Sequence, residues 1–153
     1  MKRLQEFSKI TDCKIDQTSV IYDQVNLYKC TIGKNTKIDA FVYLEEDVVI
    51  GDNCKIRPFV FIPSGVVIGN NVFIGPNVTF TNDRYPEIGK DWTLEKTIVE
   101  DNVSIGAGSV ILPGIKIGKH SLIGSGSVVT HDVPEDSVFH NFLQHKTKRR
   151  LKR

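Results

Sequence analysis

Large apolar residues recur every six positions along most of this chain. Counting from Ile32, the beat falls on Ile38, Leu44, Ile50, Ile56, Ile62, Ile68, Ile74 and Phe80. A second run carries it through Val99, Ile105, Ile111, Ile117, Ile123 and Val129. At 40% apolar content, fifteen matches in fifteen positions would arise by chance about once in a million. Four positions after the beat stands a small or β-branched residue, as at Val42, Val48, Cys54, Val60, Val66, Val103, Ser109 and Ile115. Glycine follows the beat at Gly33, Gly51, Gly69, Gly75, Gly106, Gly118 and Gly124, seven of the twelve in the chain.

A period of six matches neither the 3.6 of a helix nor the 2 of an alternating strand. With β-branched residues it predicts short strands joined by tight turns, the apolar residue inward and the glycine permitting the turn backbone. Three hexads make an 18-residue triangular coil. Such coils stack at the strand spacing of about 4.8 Å, so open strand edges remain only at the two ends. The expected class is all-β, a parallel β-helix. Cys54 falls at an inward phase and reads as core. Before Ile32 the step survives at Ile15, Ile21 and Leu27 and then loses one residue, which predicts an irregular first coil over residues 1–31. The whole reads as one domain, 1–143, followed by a tail, 144–153.

The beat breaks once. Phe80 and Val99 stand 19 positions apart, and the residues between them are polar, aromatic and turn-forming. An inserted loop at about 81–98 is expected. Loops carried by a rigid scaffold are where function concentrates. The plainer reading is a surface excursion with Asn82-Asp83 as turn formers and Trp92 packing it down.

Hexads such as Ile68-Gly69-Asn70-Asn71-Val72-Phe73 and Ile105-Gly106-Ala107-Gly108-Ser109-Val110 resemble those of the hexapeptide-repeat acyltransferases. The resemblance covers about residues 15–134 and implies that the β-helix is left-handed. The segment Gly75-Pro76-Asn77-Val78-Thr79-Phe80-Thr81-Asn82-Asp83-Arg84-Tyr85-Pro86 is similar to a signature of one branch, the nucleotide-sugar 3-N-acetyltransferases. Two departures stand out: Glu87 replaces a common arginine, and Val138–Lys146 matches the usual C-terminal segment only at the valine, Asn141 and the trailing basic residues. The resemblance implies acetyl-CoA as co-substrate and a nucleotide-linked 3-amino sugar as acceptor, with dTDP-3-amino-3,6-dideoxyhexose favoured over a UDP-3-amino-uronate. The pathway implied is surface glycan synthesis. Asn82 and Asp83 are the implied catalytic pair, with Arg84, Tyr85 and Trp92 on the substrate. A homotrimer with sites between subunits is also implied. The coenzyme would then run past Ala107, Gly108, Ser125 and Gly126, whose small size permits close approach and which otherwise read as compact turns. Lys146 would meet its phosphates.

Charge adds one local feature. The net +2 comes from six basic side chains in 144–153, and the rest holds 14 basic against 18 acidic residues. The tail is either a solvated terminus or an anion contact. A basic run without interleaved aromatics does not make a nucleic-acid surface, and no nucleic-acid partner is expected. No apolar run is long enough to cross a membrane, the start lacks a signal-peptide pattern, and the expectation is cytoplasmic. Cys13, Cys30 and Cys54 form no disulfide or zinc pattern.

Three rival classes fit these residues less well. A β-helical zinc carbonic anhydrase needs three converging histidines, and residues 1–119 contain none. An O-acetyltransferase acting on a free sugar or serine would want a histidine base, which the Asn82-Asp83 loop does not offer; His120 stands in an outward turn. A non-catalytic scaffold would not need the loop motif. No metal is expected.

Overall fold

The computed structural model describes residues 7–91 and 93–141. Every strand pair is parallel, and no helix occurs among the described residues. The chain winds through seven coils whose short strands stack on three faces, seven on the first, six on the second and seven on the third. The first face stacks Lys9–Thr11, Asn26–Tyr28, Tyr43–Leu44, Phe61–Ile62, Thr79–Phe80, Val110–Ile111 and Val128–Val129. The second stacks Lys14–Ile15, Thr31–Ile32, Val49–Ile50, Val66–Ile68, Thr97–Val99 and Lys116–Ile117, with Val133 bridging Ile117 at its end. The third runs from Val20–Ile21 to Val138–Phe139.

The six-residue beat is the interior of this prism. All fifteen beat residues are at most 2% exposed, and the second series, from Val42 to Val133, is at most 3% exposed. Burying an isoleucine side chain contributes about 1.5–3 kcal/mol. Cys54 is fully enclosed, as its phase predicted.

The glycines have a different reason from the one the pattern implied. None of the seven in phase with the beat has positive φ. They are glycines because consecutive coils touch there: a Cβ on Gly33 would lie 2.3 Å from the Asp52 carboxylate, and one on Gly106 would lie 2.4 Å from the Ser125 nitrogen. The left-handed turn residue comes two positions later and is usually Asn or Asp, as at Asn35, Asn53, Asn71, Asn77 and Asn102. Those two residue types tolerate that backbone best after glycine.

All the length variation falls on one edge, where the first face turns into the second. There the step is five residues at Ile10–Ile15 and Leu27–Ile32, six at Leu44–Ile50, and 19 at Phe80–Val99. Coils therefore repeat at 17 residues between Cys13 and Cys30, at 18 between Asp52 and Asn70, and at 31 between Asn70 and Asp101. No coil is lost at the break. The insertion adds thirteen residues at one corner, occupies 81–96, and rejoins at Thr97, slightly earlier than the pattern indicated. The short first coil also brings Cys13 and Cys30, distant in sequence, to a sulfur–sulfur separation of 3.4 Å as free thiols.

Candidate active site

The loop starts from an anchored base. The Thr81 amide donates to the Ile111 carbonyl of the coil above at 2.9 Å, and its hydroxyl donates to the same oxygen at 3.3 Å. Asn82 follows, half-buried, and among the described residues its side-chain amide has no protein hydrogen-bond partner. Asp83, next in the chain, accepts the Tyr85 amide at 3.0 Å, closing a tight turn that orients its carboxylate.

Arg84 turns back onto the scaffold. Its guanidinium donates to the Pro113 carbonyl and pairs with Glu95 at 3.3 Å on the returning arm of the loop. Two glycines that lie outside the main glycine phase make room for that arm. Gly65 in the coil below and Gly114 in the coil above both have positive φ, +85° and +73°. A Cβ on Gly65 would lie 2.8 Å from Leu94, and one on Gly114 would lie 2.3 Å from the Glu95 carboxylate. The arm closes when Thr97 donates to the Gly65 carbonyl at 3.1 Å and accepts the Gly114 amide at 3.1 Å.

Gly65, Leu94, Glu95 and Gly114 are thus site-forming residues that the sequence reading did not single out. The available signal was positional: both glycines stand three places after a beat, where Asn or Asp is usual, in the coils on either side of the break.

Beyond this seat the loop is open. Tyr85 is 82% exposed and Ile88 is wholly exposed. Asp83, Arg84, Tyr85, Lys90 and Glu95 border a cavity of about 340 Å³. Trp92 lies outside the described residues, as does Lys146 with the rest of the tail.

The expected coenzyme residues sit elsewhere on the chain. Ala107-Gly108 and Ser125-Gly126 occupy the corner between the third and first faces in successive coils, joined by the Gly126 amide donating to the Ala107 carbonyl at 2.8 Å. All four are exposed, and nothing lies within 4 Å of a would-be Cβ on Gly108. The structure does not bring them to the loop: the two groups flank opposite edges of the first face. His120 is on the remaining corner, exposed, in the left-handed turn position. Among the described residues no group of three His, Cys, Asp or Glu side chains is disposed to hold a metal ion.

Parallel triangular coils with an interior beat of six define a β-helix of hexapeptide repeats. Residues 29–64 and 96–131 match the family described as bacterial transferase hexapeptide (six repeats), leaving the loop between the two matched blocks. The two matched blocks carry the hexapeptide-repeat transferase pattern, and the fold is the left-handed β-helix. It is 45% identical over 69 residues to a galactoside O-acetyltransferase of Lactococcus lactis, covering 42% of this chain and 33% of that protein. It is 58% identical over 41 residues to a 2,3,4,5-tetrahydropyridine-2,6-dicarboxylate N-acetyltransferase of Clostridium perfringens, covering 27% and 17%. Its fold is similar to that of AntD, an N-acyltransferase from Bacillus cereus solved with dTDP-4-amino-4,6-dideoxyglucose and coenzyme A. There the TM-score is 0.69 at 21% identity, over 88% of this chain and 79% of that chain. The chain spans at most about a third of the length of the curated relatives it matches.

Proposed function

We propose that this protein transfers an acetyl group from acetyl-CoA to the amino group of a nucleotide-linked amino sugar. The observation that carries this is the Asn82 amide, which has no protein partner among the described residues and stands between Thr81 and Arg84, both tied to the scaffold. A buried or half-buried polar group left unpaired by its own chain is available to a ligand.

The residues divide the work as follows. Asn82 accepts an N–H of the neutral sugar amine through its side-chain oxygen and aims the nitrogen lone pair at the thioester carbonyl. The C–N bond forms, the C–S bond breaks, and the electron pair leaves with sulfur. Asp83, beside it, takes the proton that the nitrogen sheds. A thiol leaving group has a pKa near 8.5, so strong general-base catalysis is not required. Positioning in a fixed frame then contributes most of the rate. Arg84 holds the frame closed through Pro113 and Glu95, and Tyr85 packs against the sugar.

Because the loop and the Ala107–Gly126 strip flank opposite edges of one face, a complete site is best made by two chains. The loop of one subunit would meet the strip of its neighbour in a trimer, which would also cover Tyr85 and Ile88. The basic tail, with Lys146, would approach the coenzyme phosphates.

The 3-amino position and the dTDP carrier rest on the segment 75–86. The test is thiol release from acetyl-CoA with separate acceptors: dTDP-linked 3-amino-3,6-dideoxyglucose, its galacto epimer, the 4-amino isomer, and a UDP-linked 3-amino-glucuronate. Release with a dTDP-linked 3-amino sugar is expected. A free galactoside and serine are run as further acceptors: release with either of them alone would favour the O-acetyl alternative, and release with none, together with no CoA binding, would favour a scaffold.

A further inference from the structure

The left-handed turn positions hold an anomaly. Most are filled by Asn, Asp or Gly, but Phe41 and Phe59, at the corner between the third and first faces in successive coils, both sit at φ +63°. A bulky residue there is a true outlier, because its Cβ crowds the backbone. The cost is not repaid by burial, since the two rings are 48% and 54% exposed. They lie parallel, with centroids 4.8 Å apart and planes 2° from each other. Tyr43 and Phe61, close by on the first face, also touch, but they stand on ordinary strand backbone, where aromatic residues are common.

The corner continues in a way that leaves the stack open at one end. One face of Phe59 is covered by Phe41. The other is turned towards the next coil, where the same position is Asn77, exposed and, among the described residues, with its side-chain amide unpartnered. Above Asn77 the position becomes Gly108 and then Gly126. Two residues before Phe59, Arg57 pairs with Asp39 at 2.8 Å and remains 46% exposed, so most of its N–H donors are uncommitted.

We propose that the free face of Phe59, backed by Phe41, is a stacking platform for a nucleobase, with Asn77 reading the base edge and Arg57 its carbonyl or ribose. Any base has a π-face, and aromatic platforms bind bases by stacking with little demand on sequence. The idea rests on the acyl-transfer reading, in which both substrates carry a nucleotide: the base belongs either to the sugar nucleotide or to the adenine end of CoA.

The experiment is calorimetric titration of the full chain with dTDP, UDP and CoA, using wild type, Phe59→Asn and Phe59→Trp, with sedimentation velocity on each. Asn is the residue the next coil uses at this backbone, so Phe59→Asn should fold with an undiminished thermal midpoint. It should weaken at least one ligand by about fivefold or more and leave another within about twofold, and Phe59→Trp should restore binding. Loss of dTDP or UDP assigns the base to the sugar nucleotide; loss of CoA assigns it to adenine. Unchanged affinities in all three titrations would overturn the platform. So would a change in assembly state on Phe59→Asn with ligand affinities intact, which would mark the pair as a subunit contact. If wild type binds and transfers while Phe59→Asn is indistinguishable, only the platform falls; if wild type binds none of the three, the acyl-transfer reading falls with it.

Discussion

Arg84 donates a hydrogen bond to the Pro113 carbonyl, 29 residues later in the chain and one coil further along the helix axis. The inserted loop is therefore fastened to the coil that follows it as well as to the one it leaves. Arg84→Ala should free the loop while sparing the coils. The expected result is at least tenfold lower kcat/KM and faster proteolysis within 85–95. Exposed ion pairs contribute only about 0–1 kcal/mol, so the thermal midpoint should fall by a few degrees at most, read by calorimetry.

Asn82→Ala removes a side chain that supports nothing in the fold. It should lower kcat by an order of magnitude or more with the thermal midpoint unchanged. Full activity in this variant would take Asn82 out of the mechanism.

Ile111→Asp should do the reverse. Ile111 is fully enclosed in the interior column, and an unpaired carboxylate there costs several kcal/mol. The variant should be insoluble or lack the β-sheet circular-dichroism signal.

Gly114→Ala tests the seat of the loop. Its φ of +73° and the Glu95 carboxylate 2.3 Å from a would-be Cβ make alanine doubly unfavourable. A loss of about 1–3 kcal/mol is expected, measured by urea unfolding, together with loss of activity. Gly108→Ala, at φ +67° but with open space around it, should cost less.

Alkaline pH should weaken the fold through its thiols. Burial, with the neighbouring Cys13 thiol as a smaller cause, pushes the Cys30 thiol up from 9.0 to about 12, and burial also raises Cys54. The folded chain holds these protons more tightly than the unfolded one. Stability from this source is complete below pH 9 and is lost as pH rises towards 12. Urea midpoints should fall across that window, and Cys54→Val, the commoner residue in its column, should lessen the fall.

The interior of the fold was legible in the sequence because inward residues must be large or β-branched at a fixed step, and the chain departs from that step at one corner only. The glycine phase was visible, but its cause was not: the close approach of Gly33 to Asp52 involves residues a coil apart, and a period read along one strand of sequence does not display contacts between coils. The Cys13–Cys30 contact was hidden for the same reason, since a 17-residue coil brings together residues that look widely spaced. Asn82, Asp83 and Arg84 were legible as a motif. Their support by Gly65, Leu94, Glu95 and Gly114 was not, because it depends on where a thirteen-residue insertion lands when it returns.

The most direct measurement is the identity of the product formed from acetyl-CoA and dTDP-linked 3-amino-3,6-dideoxyhexose, supplied as both the gluco and the galacto epimer, with the new acetyl group located by NMR. The expected result is an amide at the 3-nitrogen, formed with stoichiometric release of free thiol. An ester on a sugar hydroxyl, or no thiol release with any nucleotide-linked amino sugar, would contradict N-acetyl transfer by this protein.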